Sequence, residues 1–274
     1  MRAASHMTKQ DDKQYLTEEQ YASEEGLNTR TAIQDRYGTS STAWFHWVFD
    51  HLELAGKARV LDIGSGSGQL WWQNWHQLPA GVRLILSDLS LPMVKAARER
   101  MPRYPNQPGI TFQVADAEAL PVPRACCGVV VALGVLDHLL QPENCLAQVH
   151  RVLAPGGMFY TSAGGRRHLH ELGELVRPYL PDEGYGGDSE RFGLENGRAM
   201  LSEWFSTVSV FPFEDMLLFR EVGPIVDYVR SEGTVAQKLK GLKLAGFVEQ
   251  LKQQLAARGE IAITREKALF VARL

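Results

Sequence analysis

The sequence has few cysteines, no long hydrophobic run and little net charge, and each shortage excludes a class of protein. Its 274 residues include three cysteines, Cys126, Cys127 and Cys145, whose spacing suits neither a disulfide framework nor a zinc site. This cysteine usage favours a reducing, cytoplasmic setting. No apolar run approaches the roughly 20 residues that cross a membrane. The net charge of −3 gives no electrostatic basis for binding nucleic acid.

The remaining composition is that of a soluble globular protein, with 45% hydrophobic and 22% charged residues. The length suits one large domain, or a domain with a cap. Residues 1–7 read as a cloning remnant, and we leave them out of fold reasoning.

A strand, a glycine-rich turn and a helix follow one another near residue 60. The apolar run from Val60 to Ile63 predicts a buried strand, and Gln69 opens a helical stretch. Between them Gly64, Gly66 and Gly68 alternate, which lets the backbone turn sharply and approach a ligand. The spacing differs from the dinucleotide fingerprint, and the Gly-Lys-Ser/Thr of a triphosphate loop is missing. The order is typical of the ligand-binding end of a doubly wound sheet.

Strands and helices alternate through residue 163, which requires a parallel sheet with right-handed crossovers. Further strands are predicted at Val82–Asp88, Ile110–Ala115, Cys127–Leu133, Met158–Ser162, Thr207–Phe213 and Ile261–Ala272. Helices are predicted at Ala43–Leu52 behind an N-cap cluster Thr39–Thr42, from Ser90, at Pro142–Leu153, and at Val222–Ser231 and Val235–Ala257. The fold class is therefore α/β. We expect a doubly wound, mostly parallel seven-stranded sheet with helices on both faces, an antiparallel C-terminal strand and a helical cap.

The chain is expected to divide into parts around the central sheet. These are an N-terminal helical cap (8–57), a ligand-binding core (58–163), an insert over the site (164–204) and a C-terminal part of the sheet with helices (205–274).

Four motifs carry a resemblance to a known family. Asp62-x-Gly64-x-Gly66-x-Gly68 resembles the first motif of the class I S-adenosyl-L-methionine (SAM) methyltransferases. Asp88, Asp116-Ala117 and the turn Leu153–Phe159 match later motifs in the family's order. The resemblance covers residues 58–163, is nearest to the small-molecule, ubiquinone/menaquinone-type branch, and implies SAM as cofactor.

The resemblance also implies a role for each matching position. Asp62 would lie near the ammonium of SAM, and Asp88 would accept bonds from the ribose hydroxyls. Asp116 would accept from the adenine amino group. The other implied cofactor-binding residues are Gly64, Ser65, Gly66 and Gly68 at the methionine moiety, Leu89, Met93 and Ala117 at adenine, and Leu133 and Gly134 at the sulfonium. The alternatives are a capping or ion-pair role for the acids and a core role for Met93.

His138, just after the fourth strand, is the candidate general base, and Asp137 is its alternative. A role for His138 in orienting the substrate or capping a turn stands equally beside the catalytic one. His168 and His170 are possible second bases, although solvated loop positions suit them better. No acidic cluster suggests a metal, and none is expected.

The predicted activity is methyl transfer from SAM to an O, N or C atom of a small, planar or apolar metabolite. Residues 15–47 and 164–204, both rich in aromatics, would build its pocket. We expect a monomer or homodimer without nucleic-acid or membrane partners. The alternatives are a protein or RNA methyltransferase, or a SAM-binding protein with a non-methyl or regulatory role.

Overall fold

The computed structural model describes residues 13–21, 23–54, 59–101, 109–181 and 191–274. Within them lies a seven-stranded sheet in the order β3-β2-β1-β4-β5-β7-β6. Its strands are β1 (Arg59–Ile63), β2 (Arg83–Asp88), β3 (Ile110–Val114), β4 (Cys127–Leu133), β5 (Leu153–Gly164), β6 (Thr207–Phe219) and β7 (Ile261–Arg273). The predicted remnant, residues 1–7, lies outside the described residues.

The first five strands are parallel, and β7 runs antiparallel to both β5 and β6. The strand order reverses between β1 and β4, the position at which open parallel sheets bind ligands. The predicted fold class is confirmed.

Helices cover both faces of the sheet. They are α1 (Lys13–Tyr15), α2 (Glu25–Tyr37), α3 (Trp44–Asp50), α4 (Gln69–Gln73), α5 (Leu91–Arg100), α6 (Pro142–Val152), α7 (His170–Val176), α8 (Gly197–Ser202), α9 (Val222–Arg230), α10 (Gly233–Lys238) and α11 (Gly241–Arg258). Alternate residues of β4 serve the two faces, since Val130 packs with the α6 side and Val129 with α3 and α4. In the part of the chain that is described, no helix is both long and apolar enough to cross a membrane.

The predicted N-cap cluster Thr39–Thr42 is wrong in its role. Helix α3 begins at Trp44 behind Ala43, and no side chain caps it. The N–H groups of Thr39 and Ser40 instead donate to Asp215 Oδ1 in β6, at 2.7 and 2.9 Å. A tertiary carboxylate therefore takes the hydrogen bonds that a local pattern assigned to a helix cap.

Strand β6 is longer than the sequence predicted. β6 continues to Phe219 through Pro212, which is tolerated because β6 is an edge strand. β7 runs unbroken from Ile261 to Arg273 and pairs on both sides. Three helices, α9, α10 and α11, replace the two predicted between these strands and pack a third core cluster around Phe247 and Tyr228.

The N-terminal segment crosses the carboxyl edge of the sheet. α1 continues as a π-helical turn, Leu16–Gln20, and Tyr15 bonds to Thr234 of α10 through their hydroxyls. At the other end of α2, Gly38 bridges to Leu217 of β6. The segment is thus held at both ends by the C-terminal part of the chain.

Candidate cofactor and acceptor site

The glycine turn between β1 and α4 needs its glycines. Gly64, Gly66 and Gly68 have φ angles of 64°, 54° and 75°, in the left-handed region that side chains disfavour. A Cβ on Gly64 would lie 2.5 Å from Cγ2 of Val135, and one on Gly66 would lie 3.1 Å from Leu27. The turn is therefore packed closely between the loop after β4 and helix α2.

Asp88, at the end of β2, holds this turn. Its Oδ2 accepts from the Gly66 N–H at 2.8 Å, and its Oδ1 accepts from the Ser90 N–H at 2.8 Å. Desolvation raises the pKa of Asp88, and the N–H groups of Ser90 and Gly66 offset part of the rise. The carboxylate is fixed beside the glycine turn, where the resemblance implied a ribose ligand.

Asp62 lies under the turn and is 4% exposed. Its Oδ2 accepts from the indole N–H of Trp71 at 2.7 Å. Burial raises the pKa of Asp62 to about 8, the indole bond opposes the rise, and the nearby Asp88 adds to it. The sequence pattern did not identify Trp71 as a partner, because nothing in the spacing distinguishes this tryptophan from the neighbouring Trp72 and Trp75.

The turn carries a buried polar atom without a partner. Ser65 donates its backbone N–H to Ser87 O at 2.9 Å, yet its Oγ is buried and unbonded. A buried polar atom without a hydrogen bond destabilises the folded protein unless a ligand or a water molecule bonds to it. Together with the close-packed glycines and the two acids, Ser65 Oγ suits a ligand that carries amine and hydroxyl donors. The methionine and ribose parts of SAM carry these groups.

The predicted adenine residues lie under the N-terminal segment. Asp116 Oδ2 accepts from Lys13 Nζ at 2.6 Å, and Asp116 Oδ1 accepts from the Glu118 N–H at 3.0 Å. Met93 is buried and 1% exposed, while Leu89 is half-buried. Both oxygens of Asp116 thus have partners already, and Lys13 lies where the adenine amino group was expected.

The other predicted cofactor residues follow β3 and β4. Ala117 packs against the α6-side core, and Leu133 packs against the opposite cluster. Gly134 is exposed with a φ of 61°. We call the glycine turn, Asp62, Asp88 and Asp116 with these neighbours the cofactor edge.

The candidate base His138 ends a short 3-10 turn after β4, Leu136–His138. Its ring meets Tyr21 edge-on, with centroids 6.3 Å apart. Tyr21 is tied to α5 by the bond from Ser90 Oγ to its carbonyl at 2.8 Å, and burial raises its pKa. Asp137, the predicted alternative, has a buried Oδ1 without a partner.

The insert histidines differ from each other. His170 is exposed and lies 3.8 Å from Glu174. His168 was expected to be solvated, but it is half-buried against Gly164, and its Nδ1 is buried without a partner. Lys267 of β7, which the sequence pattern did not single out, lies on the same strand pair, opposite Gly164. We call Trp44, Asp137, His168 and Lys267 the acceptor wall.

The cysteines and acids form no further centre. Cys126, Cys127 and Cys145 are free thiols. Across the described ranges, no group of three His, Cys, Asp or Glu residues could hold a metal ion.

Comparisons with known proteins agree with this geometry. Residues 61–161 match the family described as methyltransferase domain. A ubiquinone/menaquinone biosynthesis C-methyltransferase of Erwinia tasmaniensis is 29% identical over 136 residues, covering 50% of this chain and 54% of that protein. The chain therefore spans about half the length of this relative.

Two other similarities extend further along the chain. A malonyl-[acyl-carrier protein] O-methyltransferase of Geobacter sulfurreducens is 28% identical over 194 residues, covering 69% of this chain and 71% of that protein. A Haemonchus contortus N-methyltransferase, solved with phosphomonomethylethanolamine and S-adenosylhomocysteine, covers 97% of this chain and 60% of its own, with a TM-score of 0.57 and 18% identity. The latter shows the fold alone. With the family match over the glycine turn and β1 to β5, the resemblance to class I SAM-dependent methyltransferases is confirmed for residues 61–161, which match a methyltransferase domain.

Proposed function

We propose that the protein transfers a methyl group from SAM to an O, N or C atom of a small molecule. The observation that carries the proposal is the glycine turn, which has three left-handed glycines, is held to Asp88 through the Gly66 N–H, and lies in the part of the chain that matches the methyltransferase family. The named activities of the relatives, C- and O-methyl transfer, support the reaction class.

In this proposal the cofactor edge binds SAM. Asp62 and the unbonded Ser65 Oγ serve the methionine part, and Asp88 serves the ribose hydroxyls. Asp116 serves the adenine amino group once Lys13 has moved from it. The geometry supports these roles because the three acids lie at or just after the carboxyl ends of three adjacent strands, β1, β2 and β3.

SAM, when bound, supplies a methyl group already activated on a sulfonium. The chain's own task is then to align the acceptor and exclude water. Tyr21 supports that task, because it covers His138 and anchors the N-terminal segment to Ser90. His138 orients the acceptor, and Asp137 has a free carboxylate oxygen for its proton where one must leave.

Isothermal calorimetry tests cofactor binding. We expect SAM and S-adenosylhomocysteine each to bind with a stoichiometry of one per chain. NAD serves as the control nucleotide, since the glycine spacing does not suit it. Clear binding of NAD with no heat from SAM or its product would overturn the proposal.

Methyl-labelled SAM tests the reaction and its alternatives. The protein is incubated with a metabolite extract, with the protein fraction and with RNA, and the label is followed by mass spectrometry. We expect label in a small molecule. Label in protein or RNA would identify a different acceptor, and SAM binding without transfer would identify a regulatory or non-methyl role.

A further inference from the structure

We propose, on the basis of the proposed function, that the acceptor is a small carboxylate with a separate hydroxyl or amino nucleophile. Lys267 binds its carboxylate and Asp137 accepts from its nucleophile. The acceptor wall carries this inference, because Asp137 Oδ1 and His168 Nδ1 are buried without a partner and the ammonium of Lys267 lies over the ring of Trp44.

Lys267 is a lysine in an unusual place, within an inner strand of the sheet. It lies in β7, between Gly164 of β5 and Phe213 of β6, in the interior of the sheet. Its Nζ lies 4.2 Å from the ring centroid of Trp44, which is itself 5% exposed. Among the described residues Lys267 has no hydrogen-bond or ion-pair partner, so its charge rests on an aromatic face.

The neighbouring cation is already neutralised. Arg265, two residues away on the same strand, forms a buried ion pair with Asp215 and donates to Gln34 Oε1 at 3.0 Å. The charge left for a ligand is therefore that of one ammonium. A single cation suits a monoanion such as a carboxylate better than a doubly charged phosphate.

His168 adds a neutral polar group beside Lys267. Its turn is fixed because Gly165 donates to the Glu266 carbonyl at 2.9 Å and Leu169 donates to the Thr264 carbonyl at 2.8 Å. Nδ1 of His168 is buried without a partner. Burial, Lys267 and Arg265 hold the pKa of His168 well below its usual range, so the ring is neutral.

Asp137 connects this cluster to the cofactor edge. It follows β4, whose Leu133 pairs with Ser162 of β5, and β5 in turn pairs with the Lys267 strand. Its unbonded Oδ1 is an acceptor only, so it requires a donor from the ligand. A hydroxyl or amino group supplies that donor, and the carboxylate supplies the acceptor for Lys267.

The reaction balances with these groups. The acceptor oxygen or nitrogen forms a bond to the methyl carbon, the carbon–sulfur bond breaks, and the sulfonium becomes a neutral thioether. The proton of the nucleophile goes to Asp137.

The pH dependence follows from the charges around Lys267. Burial and the nearby Arg265 lower the pKa of Lys267, Asp137 and Asp215 oppose the shift, and together they bring it to about 7. The ammonium is present below about pH 7 and lost above it, so carboxylate affinity should fall as the pH rises from 7 to 9. A bound carboxylate stabilises the ammonium, so it raises the pH at which Lys267 loses its proton.

Binding to the protein saturated with S-adenosylhomocysteine tests the proposal. The probes are the three isomeric hydroxybenzoates and the three hydroxybenzamides, which are neutral and of the same shape. At pH 6.5 we expect at least one acid to bind about tenfold more tightly than its amide, a difference of about 1.4 kcal/mol. In Lys267→Met the preference for the acid should disappear. Lys267→Arg should keep the preference, and this preference should persist at high pH.

The matched control is Lys243→Met, the same change at an exposed position of α11, which should keep the preference. S-adenosylhomocysteine affinity and the thermal midpoint of unfolding are measured for every variant, so that a misfolded Lys267→Met is recognised. In that case the acid-to-amide preference of Lys267→Arg, and its pH dependence, decide the test. Equal affinity for acids and amides, or a preference that survives in Lys267→Met, would overturn the carboxylate. If the unmodified protein does not bind S-adenosylhomocysteine, the proposed function is overturned instead.

Discussion

The cofactor edge and the acceptor wall lie side by side on one sheet but are built differently. The acids of the cofactor edge already have partners, Trp71 for Asp62, two N–H groups for Asp88, and Lys13 for Asp116. Asp137 Oδ1 and His168 Nδ1 in the acceptor wall are buried and have none. The acids of the first region are therefore positioned before any ligand binds, whereas these polar atoms of the second region depend on a ligand for their hydrogen bonds.

Replacing the carboxylate of Asp88 should give the largest effect on the cofactor edge. Asp88→Ala removes two predicted ribose bonds and frees the Gly66 N–H, so SAM affinity should fall by about 2–4 kcal/mol. Calorimetry with SAM measures it, and circular dichroism checks that the sheet remains. Unchanged affinity would remove the ribose role of Asp88.

A Cβ on the glycine turn tests whether the backbone geometry itself matters. Gly64→Ala places a methyl group in left-handed backbone 2.5 Å from Val135, so SAM affinity should fall by about 1–3 kcal/mol. Gly81→Ala is the matched control, because Gly81 has a φ of 86° with nothing within 4 Å of a Cβ. It should lower thermal stability and leave SAM affinity intact. Equal losses of affinity in both would indicate a general effect on folding.

His138 tests the boundary between the two regions. His138→Ala should raise the Michaelis constant of the acceptor about tenfold, because an orienting contact is lost, and leave SAM affinity unchanged. The acid limb of the pH–rate profile should persist. A loss of turnover of about 10²–10⁴-fold, together with loss of that limb, would instead identify a general base.

The contact of the N-terminal segment with Asp116 should give the smallest effect. Lys13→Ala removes exposed ion pairs to Asp116 and Glu118, worth roughly 0–1 kcal/mol, and should strengthen SAM binding by no more than a few-fold. Weaker SAM binding in Lys13→Ala would show that Lys13 supports the cofactor and does not compete with it.

Hydrogen exchange in residues 13–21 should slow when SAM and acceptor are added to the unmodified protein.

The two regions also differ in how far the sequence could predict them. The glycine turn and Asp88 come from local strand-to-turn patterns, so the fold class and the positions of strands β1 to β5 along the chain could be predicted from the sequence. The acceptor wall joins side chains from residues 44, 137, 168 and 267, and no local period links positions so far apart. Asp215 shows the same limit, because its bonds to Thr39 and Ser40 replaced a predicted helix cap.

The position of β7 has a consequence for how the chain assembles. β7 comes after β6 in sequence but lies between β5 and β6, and β6 has no other neighbour in the sheet. While the chain is being synthesised, β6 therefore has no strand to pair with until residues 261–273 have left the ribosome. Pairings between segments distant in sequence form slowly. We infer that the five parallel strands can assemble early, that the antiparallel pair of β6 and β7 joins them late, and that Lys267 reaches the site only with this pair.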